Sequence, residues 1–326
     1  MAASAPIRPP LLDRLPVSRG ELRAAVPLAK ATWFQVGGSA EVLFRPLDLE
    51  DLVTFLKAKP ADVPLTVLGA GTNVLVRDGG IEGVVVRLGK SFAQVQVDDD
   101  RVIAGGSAMD VNVARAAAAA GITGLEFLSG VPGTIGGAIR MNAGAYGAEL
   151  SDAIVSAEAI DPNGERRVLK TTQLGFTYRG CSIPEDWIFI SAVLRGQKDL
   201  PAAIKAKMAN VQVTRAETQP IRSKTGGSTF ANPTEPEAAG VKAWELIDQA
   251  GCRGLKRGDA MVSNLHCNFL INNGAASATD MESLGEEVRR RVAETSGIVL
   301  RWEIRRIGSL AQGLTAQDVP DGGDAS

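Results

Sequence analysis

Apolar positions along the chain change period from one stretch to the next. LTVL (65–68) and VVVRL (84–88) are short apolar runs that end at glycine, as buried strands do. AIVSAEAI (153–160) and RRVLK (166–170) flank the turn DPNGE, which predicts a hairpin, and WIFISAVL (187–194) predicts a further strand. Elsewhere the spacing is helical. Asp48, with Asp51 three residues on, predicts the cap of a short helix. Ser107 and Asp110 make a capping-box pattern before an alanine-rich helix that Gly121 ends. Further helices are predicted over 201–216, around 244–250, and from Thr279 (a cap, with Glu282 at its third position) to Ser296. Strands near 268–271 and through LRWEIRRIG (300–308) complete an α+β pattern. The divisions it suggests are a poorly ordered tail over 1–30, a nucleotide-binding region over 31–200 split at about 63/64, a third domain over 201–310 that closes over it, and a disordered tail over 311–326.

Composition removes several chemistries. The 35 basic and 37 acidic side chains nearly cancel, so no nucleic-acid or membrane partner is expected. His266 is the only histidine, which rules out a His-rich metal site and leaves a Ser-His-Asp site one candidate base. Cys181, Cys252 and Cys267 are widely spaced, without a C-x-x-C pair, so neither a disulfide framework nor a structural zinc is expected. The opening MAASAPIRPPLLDRLP lacks the apolar core of a secretory signal, and the apolar stretch 111–120 is too short to span a bilayer. A cytoplasmic protein with reduced thiols is expected, with no metal and as a monomer.

The glycines carry the positive signal. Gly69, Ala70, Gly71, Thr72, Asn73 and Val74 follow a strand at once, where successive backbone N–H groups can face an anion and Thr72 and Asn73 add donors. Val74 stands where a Rossmann fingerprint needs its third glycine, and the run 83–91 is one residue too long for a Walker A loop. A second loop places six glycines between Gly130 and Gly147 with few charges, backbone suited to lie against a flat or anionic ligand.

GAGTNVL, FLSGVPGTIGGAIRMNAGAYG, YRGC, GGSTFANP and WEIRRIG resemble, in content, order and spacing, the UDP-N-acetylenolpyruvoylglucosamine reductase family, from about Thr32 to Gly308. The resemblance implies an FAD-binding domain of the vanillyl-alcohol-oxidase type built of two α+β subdomains, followed by an α+β domain for the UDP-sugar. It implies that Gly69, Ala70, Gly71, Thr72, Asn73 and Val74 hold the FAD diphosphate. Gly130, Val131, Pro132, Gly133, Thr134, Gly136, Gly137, Ala138, Asn142, Ala143, Gly144 and Ala145 would line the diphosphate and the isoalloxazine. Neither loop holds His or Cys, so non-covalent FAD is expected.

The implied reaction reduces UDP-N-acetylglucosamine enolpyruvate to UDP-N-acetylmuramate with NADPH as co-substrate. Ser228 matches the family's proton donor. Arg179 matches the arginine at the substrate carboxylate and enolate, and Glu303 the glutamate that assists the enol opposite Ser228. Asn232 matches a substrate-binding asparagine, and Tyr146, Tyr178 and His266 are weaker pocket candidates. The chain departs from the family at Cys181 (usually Ser), Trp302 (usually Pro), Cys267 (usually Ala) and Ala231 (commonly Lys), which touches substrate contacts rather than the reaction. With Tyr146 and Tyr178 its only tyrosines, it resembles the shorter type of the family, without the extra tyrosine loop. The competing readings are a flavin oxidase of the same fold and a non-catalytic nucleotide-sugar-binding protein.

Overall fold

A computed structural model of the chain describes residues 9–234 and 240–313. The first sheet has the order Glu21–Pro27, Ser39–Arg45, Ile81–Val86, Leu65–Val67; its first pair is antiparallel and the rest parallel. The parallel strands are near-continuous apolar runs because both faces are covered. The helix Leu49–Ala58 sets Leu52, Phe55 and Leu56 against Phe44, Val84 and Val86, and the Phe44 and Phe55 rings lie 4.0 Å apart.

The predicted tail over 1–30 is corrected from Leu11 onward; residues 1–8 lie outside the described residues. Leu11–Arg14 is a short helix whose Leu11 is buried, and Glu21–Pro27 pairs along Ser39–Arg45. Pro27 sits at the end of an edge strand, where its missing N–H does no harm. The division at 63/64 is also corrected, because Leu65–Val67 and Ile81–Val86 belong to this first sheet.

Asp51 fastens the N-terminal segment to the sheet. It is 4% exposed and accepts hydrogen bonds from Ser18 Oγ and from the backbone N–H groups of Arg19, Gly20 and Leu47, at 2.8–3.0 Å. Burial works to raise its pKa, but these donors together outweigh it and hold the carboxyl below its ordinary value. Its contribution is therefore fully present above the ordinary carboxylate pKa of 3.8 and is lost as pH falls through the lowered folded value. Asp51→Ala, which orphans three backbone donors, is expected to cost about 2–4 kcal/mol in urea unfolding at pH 7. The gap from wild type should narrow at about pH 2, and a gap unchanged by pH would contradict the role given to the charge.

The second sheet is antiparallel throughout, in the order Arg166–Lys170, Ile154–Ile160, Ile188–Arg195, Arg101–Gly105, Val95–Asp98. The predicted hairpin is its first pair: Asp161 Oδ1 accepts from Asn163 N and Glu165 N, which closes the DPNGE turn. The alanine-rich helix Asp110–Ala119 packs beneath this sheet, its small residues allowing close approach. Its predicted cap is corrected. Met109 occupies the cap position, and Ser107 donates to the Gly89 carbonyl instead.

The helix Pro201–Thr218 inserts Ile204 and Met208 into this same core, so the predicted boundary at 200/201 falls too early. The remainder forms another core around a three-stranded sheet, Lys256–Arg257, Ala260–Val262 and Leu270–Asn272, covered by Ala243–Gln249 and Ala278–Ser296. The last helix is capped by Ser277 with Asp280, two residues before the predicted cap at Thr279. Residues 314–326 of the predicted C-terminal tail lie outside the described residues. The chain finally returns: Arg305–Ile307 pairs parallel with Val74–Val76, joining the third unit to the first glycine loop.

Candidate active site

The first glycine loop leaves the strand Leu65–Val67 and turns beneath Trp33, whose N–H donates to the Gly71 carbonyl at 2.9 Å. Gly71 has φ +69°, and a Cβ there would run into the Ala31 carbonyl. Gly71→Ala is expected to cost roughly 1–3 kcal/mol from the left-handed backbone alone and to loosen this loop; an unchanged urea midpoint would contradict it. The second loop is stitched to the alanine-rich helix by a Met109–Thr134 bridge and by Asp110 N donating to Gly133 O at 3.1 Å.

Between the loops lies a cavity of about 520 Å³, within the range that holds a cofactor-sized ligand. Gly69, Ala70, Gly71, Thr72, Asn73 and Val74 line it, as do Val131, Pro132, Gly133, Thr134, Gly136, Gly137, Ala138 and Ala143. Gly130, Asn142, Gly144 and Ala145 do not, and the structure gives them other places. Gly130 lies under Tyr146 and Val211. Asn142 donates to Thr177 O and accepts from Ser151 N, tying its loop to the turn that carries Arg179. Gly144 faces the Arg179 guanidinium, where an added Cβ would meet Nη1 at 3.0 Å, and Ala145 continues its short hairpin. The walls also include Trp33, Arg87, Arg140, Trp187, Phe189 and Arg305, none of which the glycine pattern marked. Flat side chains, bare backbone and three arginines suit a flavin dinucleotide.

A second cavity of about 550 Å³ shares Arg140, Met141, Glu185 and Arg305 with the first, and adds Arg77, Arg179, Trp302, Glu303 and Arg306. Its cationic lining suits an anionic substrate. Arg179 Nε donates to Glu303 Oε1 at 2.9 Å across this space. The two residues are 124 positions apart in sequence and meet because the terminal strand pairs beside Val74. Asn73 ties that strand down: its Nδ2 donates to Glu303 O at 3.0 Å, and its carbonyl accepts from Arg305 N. Burial pushes the Glu303 carboxyl above its ordinary range, against the opposing charge and hydrogen bond of Arg179. Arg179 itself has φ +61°, uncommon outside glycine and a mark of local strain at a site.

Ser228 lies on the half-buried end of its loop, next to Thr229, whose carbonyl accepts from Glu303 N at 2.8 Å; Phe230 bridges Trp302. The segment is held by Asn268, which the sequence patterns did not single out. Its side chain both donates to and accepts from the Phe230 backbone at 2.9 Å, and its carbonyl accepts from Thr229 N at 2.7 Å.

The weaker candidates separate from this centre. His266 packs edge-on against Phe269 and Trp244, and burial lowers its pKa. Asn232 Oδ1 accepts from Ala243 N at the start of the helix Ala243–Gln249. Tyr178 is exposed and stacks on the Arg179 guanidinium, 5.0 Å from ring centre to Cζ. Tyr146 is exposed, with φ +56°, in the field of Arg215.

The family departures have local partners. Trp302 donates from Nε1 to Glu286 at 2.7 Å and packs 5.1 Å from the Phe230 ring. Cys267 donates to the Trp244 carbonyl, and burial pushes its thiol up to about 11. Cys181 lies beside Arg140, and Ala231 is buried, its N–H bonded to Arg301 O.

Residues 40–170 match the family model described as FAD binding domain, and residues 219–307 match the one described as UDP-N-acetylenolpyruvoylglucosamine reductase, C-terminal domain. The protein of that name from Rhodospirillum rubrum is 55% identical over 307 residues, 94% of this chain and 96% of its own length. Its namesake from Paramagnetospirillum magneticum is 57% identical over 296 residues, 91% of this chain and 95% of its own. Among solved structures, UDP-N-acetylenolpyruvylglucosamine reductase from Thermus caldophilus superposes with a TM-score of 0.75 at 34% identity, covering 90% of this chain and all of that one.

Proposed function

The chain belongs to the UDP-N-acetylenolpyruvoylglucosamine reductase family, and on that premise we propose that it reduces UDP-N-acetylglucosamine enolpyruvate to UDP-N-acetylmuramate in the cytoplasm, as a step of peptidoglycan precursor synthesis. Residues from about 11 to 218 would hold FAD, and those from 219 to 310 would close the UDP-sugar site. When bound, FAD would supply the hydride chemistry that links NADPH to the enolpyruvyl group.

The protein's own groups do the rest. The loops around Gly71 and Gly133, which line the first cavity, would hold the dinucleotide through their backbone N–H groups. Arg179 pairs with the substrate carboxylate, where negative charge grows as hydride arrives, and a planar, always-charged fork suits that better than an ammonium group. Glu303, raised by burial, holds its proton more readily than an exposed carboxyl and hydrogen-bonds the enol form. Ser228 gives its proton to the carbon next to the carboxylate. Arg140 and Arg305, at the seam of the two cavities, set the positive field that draws in an anionic nucleotide sugar.

The observation that carries this reading is the Arg179–Glu303 pair in the second cavity, which shares Arg140, Met141, Glu185 and Arg305 with the glycine-lined one. Stoichiometry tests it. One NADPH consumed per lactyl ether formed, without hydrogen peroxide, is the expected result. Peroxide formed in step with NADPH loss would favour the oxidase reading, and a purified protein without flavin would favour simple sugar binding.

A further inference from the structure

The helix Ala278–Ser296 turns Glu282, Gly285, Glu286 and Arg289 toward the segment that carries Glu303. Their spacing is that of one helical face. Arg289 Nε donates to the Leu300 carbonyl at 2.7 Å, and Arg306 Nη1 donates to Glu282 and Glu286 at 3.2 and 3.1 Å. Between these anchors the indole N–H of Trp302 donates to Glu286 Oε1 at 2.7 Å. Gly285 is the seat of this ring, because a Cβ there would run into Cη2 and Cζ2 of the indole. Glycine inside a helix is destabilising relative to alanine, and the room it leaves for the indole is the packing reason for it here.

The same ring touches the proton-donor segment. The Phe230 and Trp302 ring centres lie 5.1 Å apart, and the two residues form a backbone bridge. On either side of that bridge Ala231 N donates to Arg301 O at 2.9 Å and Glu303 N to Thr229 O at 2.8 Å. Ser228 and Glu303 therefore belong to adjoining segments, with Trp302 packed between their pairing and the helix. The Arg306 guanidinium lies 4.8 Å from the ring centre and confines it further. Close-packed interiors transmit a change in the size or seat of such a ring to whatever it touches.

We propose that Trp302 is a positioning residue for the reduction: seated on Gly285 and held by Glu286, its ring sets the separation between the Ser228 segment and Glu303. This rests on the reductase reading of the proposed function. Trp302 also lines the second cavity, whereas Gly285 lines neither cavity, so the seat can be altered without touching the space left for substrate.

The test uses the reduced holoprotein, mixed without oxygen with rising concentrations of UDP-N-acetylglucosamine enolpyruvate. The limiting rate of flavin reoxidation and the half-saturating concentration are read separately. Displacing catalytic groups by a fraction of an ångström to an ångström is costly, so Trp302→Leu is expected to lower the limiting rate about 10–100-fold. Gly285→Ala, which pushes the ring from behind, is expected to lower it about 10-fold, with the half-saturating concentration within about 3-fold of wild type. Trp302→Phe lacks the two ring atoms that an alanine at 285 would strike. The double variant Gly285→Ala with Trp302→Phe should therefore be no slower than Trp302→Phe alone, a rescue that contact between the two positions predicts. If Trp302→Leu fails to fold, Gly285→Ala and the rescue carry the test. A merely structural ring would lower the melting temperature and leave the limiting rate per bound flavin unchanged, which would overturn the inference. A loss confined to the half-saturating concentration would make Trp302 a substrate contact and overturn it too, as would losses that multiply in the double variant. Wild-type flavin that the enolpyruvyl sugar does not reoxidise would instead overturn the proposed function.

Discussion

Ser228→Ala is expected to leave flavin reduction by NADPH unchanged and to slow reduction of the enolpyruvyl sugar by about 10³-fold or more. A positioned proton donor is typically worth 10²–10⁴ in rate, and here the proton must reach carbon rather than oxygen. The loss should be confined to one half of the cycle because Ser228 does not line the glycine cavity, while its neighbour Thr229 bonds directly to Glu303. Loss of one hydroxyl should not displace the segment, since Asn268 holds it through backbone and amide groups and Thr229 Oγ1 accepts from Leu270 N. Rapid mixing resolves the halves. Normal oxidation by the enolpyruvyl sugar would remove Ser228 from the mechanism, and impaired reduction by NADPH would mean that the segment had moved.

The second large effect belongs to the Arg179–Glu303 pair. Glu303→Gln keeps the shape and removes the acid, and a loss of about 10²–10³ in kcat is expected, the scale of one well-placed group facing developing charge. Arg179→Met removes the counter-charge that opposes the raised pKa of Glu303, so the carboxyl should titrate higher still. It also removes the carboxylate anchor, so KM should rise while kcat falls. Because the two side chains share one hydrogen bond at 2.9 Å, the double variant should lose much less than the product of the single losses. Full additivity would mean that the pair does not act as a unit.

How much of this was legible in the sequence depends on what range of interaction placed each residue. Local chemistry was readable: the Asp48 cap, the DPNGE hairpin and both glycine loops declare themselves within a few residues. The strand Glu21–Pro27 was not, since an edge strand with alanines and a terminal proline has little apolar alternation to show. Pro201–Thr218 was found as a helix but assigned to the wrong neighbour. Only packing reveals which core receives Ile204 and Met208. The roles of Arg179, Glu303 and Ser228 came through resemblance, because their convergence depends on a parallel pairing between Val74–Val76 and Arg305–Ile307 across more than two hundred residues. Asn268, Arg140 and Arg305 escaped for the same reason. A lone asparagine or arginine carries no periodic signal, and its function is set by the strand opposite.

The most direct test of the central claim begins with the purified protein reduced by one equivalent of NADPH without oxygen, which is then mixed with UDP-N-acetylglucosamine enolpyruvate. The expected result is prompt return of the yellow flavin absorbance, with one lactyl sugar formed per flavin. Absorbance that stays bleached until air is admitted would contradict the assignment of the enolpyruvyl sugar as the electron acceptor.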